Sequence, residues 1–150
     1  MYGPHLVLEG YRCKNSSLLA DKSTILNMLG HLPSAIDMTI IMPPRVMEYD
    51  GGSVAEESGV SGFVIIAESH IAIHTYPHKG FFTLDIFSCK SFEIQKAIDY
   101  VVELFAPEKY DYNVFDRGRE FPHSTERAVN IVSAERTKFD TKRPTSLTSA

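Results

Sequence analysis

Residues 61–89 have room for three β-strands and for little else. The segments 61–67, 70–76 and 81–89 are rich in β-branched and aromatic residues, the composition that suits a pleated, half-buried surface. Only Glu68-Ser69 separates the first from the second, and Pro77-His78-Lys79-Gly80 the second from the third. Parallel neighbours need a crossover of about a dozen residues or more. Connections this tight therefore predict antiparallel hairpins. Side chains alternate along a strand. Phe82, Leu84, Ile86 and Ser88 then face one way, and Phe81, Thr83, Asp85, Phe87 and Cys89 the other. Ile71, Ile73 and Thr75 likewise oppose His70, Ala72, His74 and Tyr76.

The rest of the chain supplies cover for one face. Residues 5–11 alternate as a strand. Ser16 or Ser17 is placed to cap a helix with Leu18, Leu19, Ile25, Leu26 and Leu29 on its apolar side. Residues 37–42 read as a strand stopped by Pro43-Pro44, and 48–59 as an acidic, Gly-rich loop. Ser91 is placed to cap a second helix carrying Phe92, Ile94, Ala97, Ile98, Val101, Val102 and Phe105, closed by Pro107. A last strand is predicted over 110–115. Residues 133–150 are polar and aperiodic and read as a disordered tail. The fold class is α+β: a two-layer α/β sandwich, its antiparallel sheet covered by helices on one face and free on the other.

Register puts chemistry on the free face. If Tyr76 pairs with Phe81, Cys89 falls opposite Glu68, beside the Glu68-Ser69 turn. If Ala67 pairs with His70, Ser61 falls opposite Tyr76, near His74. Ser61, His74 and Cys89 then share one face. Ser69 and His74, however, are five residues apart on a strand, about 16 Å at about 3.3 Å per residue. One sheet thus holds two clusters, Ser69 with Cys89 and Ser61 with His74. A two-fold dimer with antiparallel sheets would superpose one protomer's first cluster on its partner's second.

The segment Ala67-Glu68-Ser69-His70-Ile71-Ala72-Ile73-His74-Thr75-Tyr76-Pro77, preceded by Gly59-Val60-Ser61-Gly62 and followed by Asp85-Ile86-Phe87-Ser88-Cys89, resembles the prokaryotic S-adenosylmethionine decarboxylases. His5-Leu6-Val7-Leu8-Glu9 resembles that family's first strand, and the similarity covers most of residues 3–116. The resemblance implies a proenzyme that cuts itself between Glu68 and Ser69, giving fragments 1–68 and 69–150. An N→O acyl shift gives an ester, β-elimination splits it, and the dehydroalanine hydrolyses to a pyruvoyl group and ammonia. It implies that Ser69 becomes the pyruvoyl cofactor and forms the Schiff base, that His74 and Ser61 assist processing, and that Cys89 donates a proton in decarboxylation. Glu9 is assigned to the substrate's amino or cationic end. A ketone beside an amide suits this work, since it condenses with an amine and draws electrons from a departing carboxylate.

Substrate-side positions depart from the family's pattern. Where the family has a ribose-binding Glu after Trp/Tyr-Pro, this chain has His78. The family also stacks an aromatic on adenine from the segment before Gly-Val-Ser-Gly. Here that segment offers only Tyr49, among Glu48, Asp50, Glu56 and Glu57. The expected substrate is S-adenosylmethionine, for polyamine synthesis, with arginine or ornithine as the alternative on the same scaffold. A non-catalytic activating homologue is a third reading, against which Ser69 and Cys89 both stand.

Simpler readings compete. A lone Cys at a strand end is usually a small buried hydrophobe, and a Ser in a turn is usually structural. His70, His74 and His78 have a spacing that chelates metal on a helix, but on a strand each step spans about 13 Å, so no metal is expected. A Cys-His hydrolase lacks a nucleophile elbow. Loop 48–59 reads as a solvated insertion before a substrate clamp. A chain of 150 residues supports one domain, taken as 1–132. A net charge of −4 predicts neither nucleic acid nor membrane as partner, and no apolar run approaches a bilayer span. Two cysteines make no disulfide framework, and with no signal peptide the expected compartment is the cytoplasm. The partners expected are a small amino-acid-type substrate and a second copy of the chain.

Overall fold

The computed structural model describes residues 3–118; the expected tail at 133–150, and the domain boundary at 132, lie outside them. Strands β1 (Pro4–Cys13), β2 (Thr39–Tyr49), β3 (Gly59–Ala67), β4 (Ser69–Tyr76), β5 (Phe81–Ser88) and β6 (Pro107–Asp116) form one sheet. Its order is β2-β3-β4-β5-β1-β6, with every neighbour antiparallel. Helices α1 (Ser16–Leu19), α2 (Lys22–Ala35) and α3 (Ile94–Phe105), with short 3-10 turns at Ala55–Glu57 and Pro77–Lys79, complete the described fold.

The core lies between the helices and one sheet face. Leu6, Leu8, Val64, Ile66, Ile71, Ile73, Phe82, Leu84 and Ile86 are buried on that face. Ile25, Met28, Leu29 and Leu32 of α2 meet them, with Ala97, Ile98, Val101 and Phe105 of α3. Each large side chain so buried contributes about 1.5–3 kcal/mol. Gly10 is part of this packing: a Cβ there would stand 2.1 Å from the Phe82 ring, so only glycine lets that ring lie across β1. The opposite face of the described sheet carries no helix. Phe63, Met47 and Phe115 are exposed on it.

Local details differ from the sequence reading where tertiary context decides. β2 does not stop at Pro43-Pro44 but continues to Tyr49. It is an edge strand, so a missing N–H can face solvent, and register shifts between Ile40 and Met42 and between Met42 and Arg45 absorb the prolines. Glu48 and Tyr49 therefore belong to the strand and not to the loop.

The first helix is two helices. Neither Ser16 nor Ser17 caps it; Asp21 caps α2, accepting from the N–H groups of Ser23 and Thr24 at 3.3 and 3.0 Å. A carboxylate at that end also faces the positive pole of the helix. The break resets the helical phase, which leaves Leu26 42% exposed. Ser91 caps nothing, because α3 begins only after Glu93. β6 starts at Pro107 rather than 110.

Candidate active site

Strands β4 and β5 pair from Tyr76↔Phe81 down to Ser69↔Ser88. That register carries one step past the strand ends: the Cys89 N–H donates to the Glu68 carbonyl oxygen at 3.1 Å. The Ser69 hydroxyl lies 3.7 Å from the Cys89 sulfur. Ser69 has φ +132°, a region that favours glycine and costs a non-glycine residue on the order of 1–3 kcal/mol. Its pairing to Ile66 on one side and Ser88 on the other holds it there.

Chemically, this end of the sheet contains a nucleophile, an electrophile and a donor. The Ser69 hydroxyl adjoins the carbonyl carbon of the preceding peptide. The Cys89 N–H already points at the oxygen on which negative charge would develop. The other cysteine has a different character: burial pushes the Cys13 thiol up to about 11, which suits a core residue rather than a reactive one.

The second cluster sits five residues along β4. Ser61 lies directly opposite His74, and its hydroxyl is 2.8 Å from His74 Nδ1. The sequence reading placed Ser61 opposite Tyr76. The turn lies one residue earlier in the chain, with Ile66 paired to Ser69, so the register shifts by two residues. A two-residue shift preserves the face, which keeps Ser61 and His74 together. The register is pinned from the core side. Thr75, 3% exposed, donates to the Leu19 carbonyl at 2.7 Å and accepts the Val60 N–H at 2.9 Å. A Cβ on Gly59 would stand 1.8 Å from the Thr75 carbonyl oxygen, so glycine is required where the two backbones close. Sequence reasoning gave Thr75 no role, although a hydroxyl on an otherwise apolar strand face was its signal.

The two clusters do not meet within one chain. Ser69 is level with Ser88 and His74 with Thr83 on the same strand β5, a separation of about 16 Å at strand rise.

The substrate-side candidates line two cavities at the His74 end. Glu9 lines one of about 460 Å³ with Glu57, Tyr76, Lys79, Phe81 and Thr83. Its carboxylate accepts the Tyr11 hydroxyl at 2.7 Å, and this bond raises the Tyr11 pKa. Tyr11, Phe81 and Tyr76 form a row of rings with centroids 5.3 and 5.6 Å apart. Tyr49 and His78 share the other cavity, of about 190 Å³, with Glu48, Ser58 and Pro77 among its walls. Glu48, one of the carboxylates the sequence places around Tyr49, lines this cavity from the end of β2 rather than from the loop. Among the described residues, no three His, Cys, Asp or Glu side chains gather as metal ligands. No helix among them is long and apolar enough to cross a membrane.

A family model described as S-adenosylmethionine decarboxylase matches residues 4–118. The chain is 34% identical over 120 residues to an S-adenosylmethionine decarboxylase proenzyme of Archaeoglobus fulgidus, covering 77% of this chain and 97% of that one. It is 34% identical over 118 residues to the proenzyme of the same name from Clostridium botulinum, covering 78% and 95%. The crystal structure of adenosylmethionine decarboxylase from Aquifex aeolicus has the same fold, with a TM-score of 0.67 and 24% identity over 83% of this chain and 96% of that one.

Proposed function

The chain belongs to the S-adenosylmethionine decarboxylase family, and from that premise we propose that it is a self-processing, pyruvoyl-dependent decarboxylase acting on S-adenosylmethionine. The observation that carries the reading is the Cys89 N–H on the Glu68 carbonyl, with the Ser69 hydroxyl 3.7 Å from the Cys89 sulfur. In processing, Ser69 Oγ attacks the Glu68 carbonyl carbon. The Cys89 N–H stabilises the oxyanion, the C–N bond breaks as the nitrogen takes a proton, and an ester remains. A base then removes the Ser69 α-proton, Glu68 leaves as the carboxylate of fragment 1–68, and water converts the dehydroalanine to pyruvoyl and ammonia.

The base is His74, oriented by the hydroxyl of Ser61. It reaches the bond from a second chain: two copies meeting through their helix-free faces, sheets antiparallel, set one protomer's Ser61–His74 pair on its partner's Glu68-Ser69 bond. The apolar side chains exposed on that face support such a contact.

The residues around Ser69 fit a pyruvoyl group, since a thiol already adjoins the side chain to be converted. Once formed, the group supplies an electrophilic carbonyl that takes up the substrate amine and accepts electrons as CO2 departs. Cys89 delivers the proton that replaces CO2. Glu9 and the row of rings receive a cationic substrate arm, because a carboxylate and aromatic faces both attract positive charge. A second reading, arginine or ornithine as substrate, is favoured by Glu9, Glu48 and Glu57 lining the two cavities and by His78 in one of them. Release of labelled CO2 from S-adenosylmethionine, arginine, ornithine and lysine in parallel decides between them. A mass spectrum showing one uncut chain, with no release from any of the four, would instead identify a non-catalytic homologue.

A further inference from the structure

Beside Ser69, on the helix-free face, side chains from three strands and from Arg117, just beyond β6, converge. His70 Nε2 lies 3.0 Å from Asp85 Oδ2. His5 Nε2 approaches the same oxygen from the other side at 3.5 Å, at ion-pair rather than hydrogen-bond range. Asp85 stands between them because β5 runs between β4 and β1. The rings of His5 and His70 flank Phe87, with centroids 5.8 and 6.1 Å from it. The Arg117 guanidinium covers Phe87 at 4.0 Å and reaches His5 Nδ1 at 3.4 Å. A carboxylate only accepts, so His70 Nε2 carries the hydrogen of the shared bond.

Cutting the chain changes what this bond does. It rests on the processing reading that residue 69 becomes a chain end whose nitrogen leaves as ammonia. Residue 69 then has no N–H to give the sheet. His70 is the first residue of the large fragment with a backbone N–H and an anchored side chain. Strand ends that lose their covalent turn fray. Asp85 and Cys89 lie on one continuous stretch of chain, β5 and the residue after it, so a side chain tied to Asp85 is tied to the strand that presents the thiol.

We propose that Asp85 and His70 are a positioning pair that holds the newly made chain end level with Cys89 after cleavage. The pair touches neither substrate nor the reacting atoms. It acts by keeping residue 69 in register on β5.

The test compares Asp85→Leu, which breaks the bond, with Asp85→Asn, whose amide oxygen still accepts it. Both should be cut at rates within about twofold of wild type, because the intact turn holds the register beforehand. In cut Asp85→Leu, the amides of residues 70–72 should exchange hydrogen about tenfold faster, the size expected for losing a bond to a charged group. Its kcat should fall about tenfold with KM within about threefold. Asp85→Asn should return exchange and kcat to within about threefold of wild type. His70→Phe keeps a ring without the nitrogen, should behave as Asp85→Leu does, and carries the test if Asp85→Leu does not fold. Wild-type exchange and kcat in the cut Leu or Phe variants would overturn the pair, as would equal damage from Leu and Asn. A wild-type chain that is never cut would instead overturn the processing reading.

Discussion

The main-chain N–H of Cys89 lies 3.1 Å from the carbonyl oxygen of Glu68, so the residue that offers a thiol also grips the peptide bond beside it. Backbone and side chain of one residue are thereby assigned to different steps, and substitutions can separate them.

Cys89→Ala keeps the N–H and removes the thiol. This variant should still be cut, while turnover falls about 10²-fold, the usual size of a general-acid contribution. Large fragments carrying alanine at the N-terminus should accumulate, the mark of protonation on the wrong carbon. Cys89→Pro removes the N–H as well as the thiol, so its difference from Cys89→Ala isolates the N–H. The residue lies just past the end of β5, where a proline costs no bond within the strand ladder, and the change should slow cutting by about 10²-fold or more. Fragment masses over time distinguish the two, and equal cutting by both would remove the N–H from the mechanism.

Ser69→Ala should leave one full-length chain with no decarboxylase activity, because alanine has no oxygen to take the acyl group from its own nitrogen and no side chain that could become a pyruvoyl group. Two fragments on a denaturing gel would place the cut elsewhere.

Thr75→Val tests the support beneath the second cluster. The change leaves the Leu19 carbonyl and the Val60 N–H without their hydroxyl partner, a loss of about 1–3 kcal/mol for buried polar groups. The melting temperature should drop by several degrees, and cutting should slow as Ser61 and His74 lose their fixed register. An unchanged melting curve would show that water replaces the hydroxyl.

What could be read from the residues was what depends on period two. The faces of β4 and β5 followed from alternation, and the Tyr76–Phe81 register from the length of one turn. The Ser61 pairing was off by two residues, yet its face was right, because only an odd slip changes faces. The course of β2 through two prolines was not legible. Proline is tolerated there only because the strand is at an edge, and edge position is a property of the whole sheet. The Asp21 cap was missed because a break after four helical residues leaves no periodic trace. The His70–Asp85 bond was missed for a related reason. His70 is level with Phe87, not with Asp85, and such diagonal reach appears only once side chains are placed.

The shared site can be tested by mixing two inactive chains. Ser69 and His74 stand about 16 Å apart on one strand, yet the proposed processing needs both at one peptide bond. If each site draws Ser69 and Cys89 from one protomer and Ser61 and His74 from its partner, lesions can be sorted between sites. A Ser69→Ala chain and a His74→Ala chain should each remain uncut alone, and hydroxylamine should cut the second where its ester has formed. In a heterodimer, the His74→Ala chain supplies an intact Ser69, and the Ser69→Ala chain supplies an intact His74 to the same site. The other site carries both lesions. Co-expression with two different tags should therefore restore cutting of the His74→Ala chain only, together with activity at up to one site per dimer. If tagged heterodimers are isolated and neither chain is cut, the sharing of sites is wrong, and processing must proceed within one sheet without His74 at the Glu68-Ser69 bond.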